Sequence, residues 1–243
     1  MMKKMLYVVL VTLCMQTAYA TENLYEKNYK EQNSGHLKSM QASPDTKMYV
    51  SNHFDDDNIS MLESGYDMMG SSGFEAGSIA PDLALAHAKA IKADVVLVYS
   101  KYAAKKSPLS KLQTIKEAAK TTGEIDPEAL AGDEEQYKYY ASYWAKLPMP
   151  LLGLHVLKLK HKQKESGEIV EDEGLKVLAV IKGSSAFKAG LKRGDVLLKI
   201  GDVALETPSQ LSQLVGQHKG KTVKIIYSRN DVLADTTATL KVH

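Results

Sequence analysis

Seven histidines, a single cysteine and a few serine-centred patterns are the residues of this 243-residue chain whose types and spacing bear on chemistry. Covalent hydrolysis needs a nucleophile, a base within hydrogen-bond reach and donors for the developing oxyanion. Ser185 and Lys188 form a Ser-x-x-Lys pair. Gly70-Ser71-Ser72-Gly73 is a glycine-rich loop, without the Gly-x-Ser-x-Gly order of a nucleophile elbow. No His-Glu-x-x-His places two zinc ligands on one helix face. His53 stands before Asp55, Asp56 and Asp57. A hard cation needs several convergent oxygens, and an acidic run of this kind reads first as a solvated helix start.

The histidines sort by place. His36 lies in a polar leader, His161 in a charged loop, and His243 is the last residue. His155 and His218 belong to a pattern near the C-terminus. His53 and His87 remain as candidate bases. His87 falls inside a helical pattern, where packing is its usual role. The expectation is no catalytic residue, no metal and no cofactor. The competing reading is an envelope hydrolase or protease with an unrecognised site in the N-terminal part.

The elements that must position these residues follow from periodicity. Residues 44–147 read as a small N-terminal α+β domain. Strands are expected over 47–51 and 66–74, with a helix over 57–64 capped by the acidic run before it. Pro81 opens a helix running to Ala93. Residues 94–102 contain the continuous apolar run Val95–Val98 of a buried strand. Residues 103–135 are polar, with a helix over 110–121. Residues 137–146 alternate, placing Tyr137, Tyr139, Ala141, Tyr143 and Ala145 on one face and Tyr140 and Trp144 on the other. The strands 94–102 and 137–146 are expected to pair as a long hairpin. Pro148 and Pro150 mark a boundary.

Composition narrows the class. Hydrophobic residues make up 44% and charged residues 25%, as in globular proteins, which excludes extensive disorder or a fibrous repeat. Setting aside Lys3 and Lys4, the 31 basic residues become 29, against 29 acidic. That balance lacks the basic footprint of a nucleic-acid binder. Residues 1–20 read as a signal peptide: Lys3 and Lys4, an apolar run from Leu6 to Leu13, then Ala18-Tyr19-Ala20 as a small-x-small cleavage site. Gln16 and Thr17 end the run too early for a membrane span. Lipidation at Cys14 is disfavoured by the large Leu13 before it. The signal resembles bacterial export signals, so a periplasmic or secreted location is expected, with no membrane span and no disulfide in the mature chain. Residues 21–43, polar and without period, read as a flexible arm.

The most informative text starts after Pro150. Leu151-Leu152-Gly153-Leu154-His155-Val156 is a turn running into a strand. A polar loop covers 160–173, where Lys158, Lys160, His161, Lys162 and Lys164 face Glu171, Asp172 and Glu173 as a self-neutralising hairpin. An apolar strand covers 175–181. Then come Ser184-Ser185-Ala186-Phe187-Lys188-Ala189-Gly190-Leu191-Lys192-Arg193-Gly194-Asp195-Val196-Leu197, a helix over 208–217 and a final strand region over 222–229. Gly190 supplies a left-handed helix end, and Gly194-Asp195 turns the chain into strand 196–200.

This order over 150–243 resembles a bacterial-type PDZ domain, as in HtrA-like periplasmic proteases, here at the C-terminus of an exported protein lacking the protease domain. The resemblance implies a partly open antiparallel β-barrel with two helices. It also implies that a peptide adds as a strand to a sheet edge beside a helix, its terminal carboxylate received by backbone N–H groups. Leu152, Gly153 and Leu154 match that turn. His155 and Val156 match the edge strand, and Leu211, Leu214 and Val215 the apolar pocket. No histidine starts the helix, so the implied partner is a peptide or protein C-terminus with an apolar last residue.

Overall fold

The computed structural model describes residues 22–32, 37–103, 136–164 and 167–242. The expected signal peptide with Ala18 and Ala20, Cys14, His36, His243 and the helix over 110–121 lie outside them.

The N-terminal unit is a five-stranded sheet. Its strands are β1 (Tyr29–Glu31), β2 (Lys47–Val50), β3 (Tyr66–Ala76), β4 (Val95–Ala103) and β5 (Gln136–Lys146), in the order β1-β3-β5-β4-β2. β4 and β5 pair antiparallel from Val95↔Trp144 to Ala103↔Gln136, the expected hairpin. The alternation of β5 splits the core as its sequence predicts. Tyr139, Ala141, Tyr143 and Ala145 pack with α3 (Asp82–Ala90) on one face. Trp144, with Tyr140 against it, packs with α2 (Phe54–Glu63) on the other. α2 begins ahead of the expected helix, so Asp55, Asp56 and Asp57 occupy its first turn rather than precede it. There they complement the positive end of the helix dipole.

The described part of the expected flexible arm is built into this unit, which corrects that reading. Asn23 caps a short helix α1 (Leu24–Lys27), its side-chain oxygen accepting from Tyr25 N–H at 3.0 Å. Its amide donates to the Leu83 carbonyl at 2.8 Å. Tyr25 is fully buried. β1 pairs with β3, and a Cβ at Gly70 would fall 2.5 Å from the Tyr29 hydroxyl and the Lys30 carbonyl. Glycine there is what lets β1 approach so closely; Gly70-Ser71-Ser72-Gly73, read as a loop from sequence, is thus part of strand β3.

The C-terminal unit holds an open sheet in the order β13-β12-β10-β9-β6, with β11 beside β10. Its strands are β6 (Leu154–Leu157), β9 (Leu175–Val180), β10 (Val196–Ile200), β11 (Val203–Ala204), β12 (Thr222–Arg229) and β13 (Val232–Thr239). β13, missed in the sequence, pairs with β12 along its length through the tight turn at Asn230 and Asp231, both with positive φ. The expected loop over 160–173 carries a small ladder, β7 (Lys160–Lys162) and β8 (Ile169–Glu171). The Lys160–Glu171 ion pair (2.7 Å) and the His161–Asp172 contact (2.5 Å) join its two sides. Two helices, α4 (Ser185–Lys188) and α5 (Pro208–Gln217), close the core.

The two units touch. Lys182 N–H donates to the Glu63 carbonyl at 2.8 Å, and α2 packs on β9. Within the N-terminal unit, beside this contact, the Lys146 ammonium donates to the Ser64 carbonyl and sits over the Tyr66 ring.

Candidate functional site

The C-terminal pattern builds a groove at the free edge of its sheet. Among the described residues β6 pairs only with β9, leaving its other side open toward α5. The gap between them is a cavity of about 320 Å³, lined by the 150–154 turn and by Leu211, Ser212 and Val215. The turn is held from behind. Ile181 N–H donates to the Gly153 carbonyl at 3.0 Å, and so does the Ser184 hydroxyl, also at 3.0 Å. Ala186 N–H donates to the Leu152 carbonyl at 2.8 Å. The carbonyls thus point inward. Among the described residues, the N–H groups of Leu152 and Gly153 have no hydrogen-bond acceptor. Neighbouring unpaired N–H groups are a donor set for an anion.

Gly153 is required by its backbone conformation and by packing. It has φ +80°, and an added Cβ would lie 2.3 Å from Ser184 Cβ. Glycine here serves the packing of the turn on α4 before it serves any ligand. Leu152, Gly153, Leu154, Leu211 and Val215 all line this one cavity. Val156 packs partly buried against the same core. Leu214 is a correction: it packs against the core without lining the groove, and Ser212 takes the position at the rim. One turn of helix separates inward from groove-facing residues only by their contacts, which spacing alone does not reveal. His155 stands in the edge strand β6, with its side chain turned off the groove. Leu154 and Val156, on either side of it, pack on the C-terminal core, so alternation turns His155 to the opposite face of the sheet.

Asp195 is fully buried, and sequence reading left it as a turn residue. Arg229 Nε and Nη2 donate to its two carboxylate oxygens at 2.7 and 2.8 Å. Lys192 N–H adds a third bond at 2.8 Å. The aspartate beside it raises the Arg229 pKa through that hydrogen bond. This locks the Gly190–Gly194 turn to β12, and it is architecture. Ser185, of the Ser-x-x-Lys pair, is buried in α4 with Ser184, whose hydroxyl caps that helix.

In the N-terminal unit a second cavity of about 300 Å³ lies between the start of α2 and the sheet, floored by Phe54, Tyr99 and Tyr140. Neither candidate base lines it. His53 is exposed at the N-terminus of α2. His87 is buried between the rings of Tyr29 and Tyr143, with centroids at 4.8 and 5.1 Å. Neither of its nitrogens has a hydrogen-bond partner among the described residues. Burial pushes its pKa down. Among those residues no group of three His, Asp or Glu side chains is placed to hold a metal.

A PDZ-domain family model matches residues 176–229. A probable periplasmic DegP-like serine endoprotease of Halomonas elongata is 41% identical over 66 residues, 27% of this chain and 13% of that protein. A Do-like serine protease HtrA of Lactococcus lactis is 31% identical over 91 residues, 35% of this chain and 22% of the relative. The chain therefore spans less than a quarter of either relative. The solved HtrA-type protease AlgW with decapeptide shares 27% identity, over 38% of this chain and 29% of its own, with a TM-score of 0.33. With the match at 176–229 and an open edge strand facing a helix across an apolar groove, the C-terminal unit is a PDZ domain similar to those of HtrA-type proteases.

Proposed function

We propose that this chain is an exported, non-catalytic PDZ protein of the bacterial envelope, which captures peptides or protein C-termini ending in an apolar residue. The observation that carries this reading is the free edge of β6 facing α5, with the unpaired N–H groups of Leu152 and Gly153 at one end. A ligand adds to β6 as a strand. Its carboxylate meets those donors, and its last side chain enters between Leu152, Leu211 and Val215. Burying one such side chain stabilises the complex by about 1.5–3 kcal/mol. Export is supported by the charged, apolar and small-residue order of residues 1–20, and by a relative named as periplasmic. The absence of catalysis is supported by the two candidate bases, one exposed and one sealed between aromatic rings.

Fluorescein-labelled peptides ending in Val, Leu or Phe, each with a free or an amidated C-terminus, are titrated with the full chain. Free-acid forms should bind and amidated forms should lose at least about tenfold. Ser212→Trp, an exposed substitution that fills the groove, should abolish binding while the circular-dichroism melt is unchanged. Binding indifferent to both changes would place the site elsewhere. Casein cleavage by the purified protein, lost in His53→Ala or His87→Ala, would replace the reading with the hydrolase.

A further inference from the structure

Two polar side chains of the N-terminal unit are buried with atoms that have no hydrogen-bond partner among the described residues: the Tyr25 hydroxyl and both ring nitrogens of His87. Buried polar atoms are nearly always paired, so orphans gathered in one place mark a site with a further role. Both lie at the seam where the clip formed by α1 and β1 covers α3 and the sheet. The rings of His87, Tyr29 and Tyr143 form a triangle with centroids 4.8, 5.1 and 5.4 Å apart. The strands beneath turn Met69, Val96 and Val98 to this face. Glu26 on α1, Lys30 and Glu31 on β1, and Asp82 and Lys89 on α3 itself are exposed, and none bonds either nitrogen. Tyr29 and Tyr143 stay neutral near pH 7, burial pushing both hydroxyls up. A neutral imidazole packs here without penalty from charge. A protonated one has two N–H donors, no acceptor and no water, and attraction to a ring face recovers only part of that cost. Among its covers the clip is the slightest, with four residues in α1 and three in β1. Short segments of this kind open at the low end of local stability.

We propose that His87 makes the clip an acid-sensitive latch: protonation of its ring releases α1 and β1 while the sheet stays folded, leaving the β3 edge at Gly70–Ser72 without its partner strand. The closed clip holds His87 neutral, and an open one returns it to the ordinary histidine value of about 6.5. Opening is therefore favoured as pH falls below that value and suppressed above it. The latch is independent of the peptide groove.

Hydrogen–deuterium exchange of the full chain, corrected for its intrinsic pH dependence, tests this by following residues 22–32 and strand β5 between pH 7.5 and pH 5. In the wild type, exchange in the clip should accelerate about fivefold or more on acidification while β5 keeps its protection. Gly70→Ala, whose Cβ would fall 2.5 Å from the Tyr29 hydroxyl, should open the clip already at pH 7.5 and so sets the rate of the open form. His87→Phe and His87→Leu should each remove the acid response, with melts confirming the fold. Clip exchange in the wild type that is indifferent to pH overturns the proposal, as does an acid response kept by the His87 variants. Acceleration of the clip and β5 together also overturns it, because that is unfolding of the whole unit.

Discussion

Asp195 shows how one residue is held at a cost and made useful. A carboxylate is expensive to bury unless its oxygens are satisfied. Here Arg229 supplies two of the three bonds, reaching from β12 across to the turn between α4 and β10. Arg229→Met would keep much of the packing and strand the charge. The expected loss is about 3 kcal/mol of unfolding free energy, near the lower end of the range because the guanidinium edge reaches water. Urea unfolding of the two proteins measures it. A loss below 0.5 kcal/mol would mean that Asp195 takes its stability from the backbone bond alone. The sequence marked Gly194-Asp195 as architecture, but its partner lies 34 residues away. No local pattern connects them.

At the scale of elements, the N-terminal clip of α1 and β1 is the instructive case. Its residues are polar and lack a period, yet Tyr25 and Tyr29 lie against Phe74, Tyr139, Tyr143 and His87. Ser72 holds it from the sheet, its hydroxyl donating to the Tyr25 carbonyl at 2.6 Å. Burial pushes the Tyr143 hydroxyl up to about 12, so it stays a neutral partner throughout the working range. His87 is sealed beneath the clip, and burial lowers its pKa against the weaker opposing effect of Glu26. The folded state therefore binds fewer protons there than the unfolded chain. The stability linked to this group is complete above the ordinary histidine pKa of about 6.5 and is lost as pH falls through the window below it. His155, also lowered by burial, has the same sign. The melting temperature of the wild type should drop between pH 7 and pH 5. His87→Phe should make that slope shallower, leaving the share of His155. An unchanged slope in the variant would remove His87 from the account.

For the whole molecule, the question is whether the two units are independent. Pro148 and Pro150 suggest a hinge in the sequence, and each unit has its own core. The contact of α2 with β9 and the Lys182–Glu63 bond nevertheless join them beside the groove. Residues 148–243 expressed alone should fold cooperatively, because the core from Leu152 to Leu240 is self-contained. They should melt lower than the same unit in the full chain, since Ala179 and Ile181 lose cover. Exposing that much apolar surface costs about 1 kcal/mol, or about 4–8 °C in a domain of this size. Differential scanning calorimetry of both proteins decides it. Equal melting temperatures would make the contact between the units incidental.

Several features were legible in the sequence because they rest on short-range rules. The two faces of β5, the β4–β5 hairpin, the helix opened by Pro81 and the Ser184–Leu197 turn sequence all follow from periodicity, proline and positive-φ glycine. The 151–156 turn running into a strand was readable for the same reason, while its place at a sheet edge was implied only by the resemblance. Only the tertiary structure decided which residues meet across long separations. It seated a polar leader under aromatic rings and put β13 on β12. It turned Leu214 aside in favour of Ser212, and assigned Gly153 to the packing of Ser184. Such contacts carry little local signature, because the entropy of closing so long a loop is repaid only when both whole units have folded.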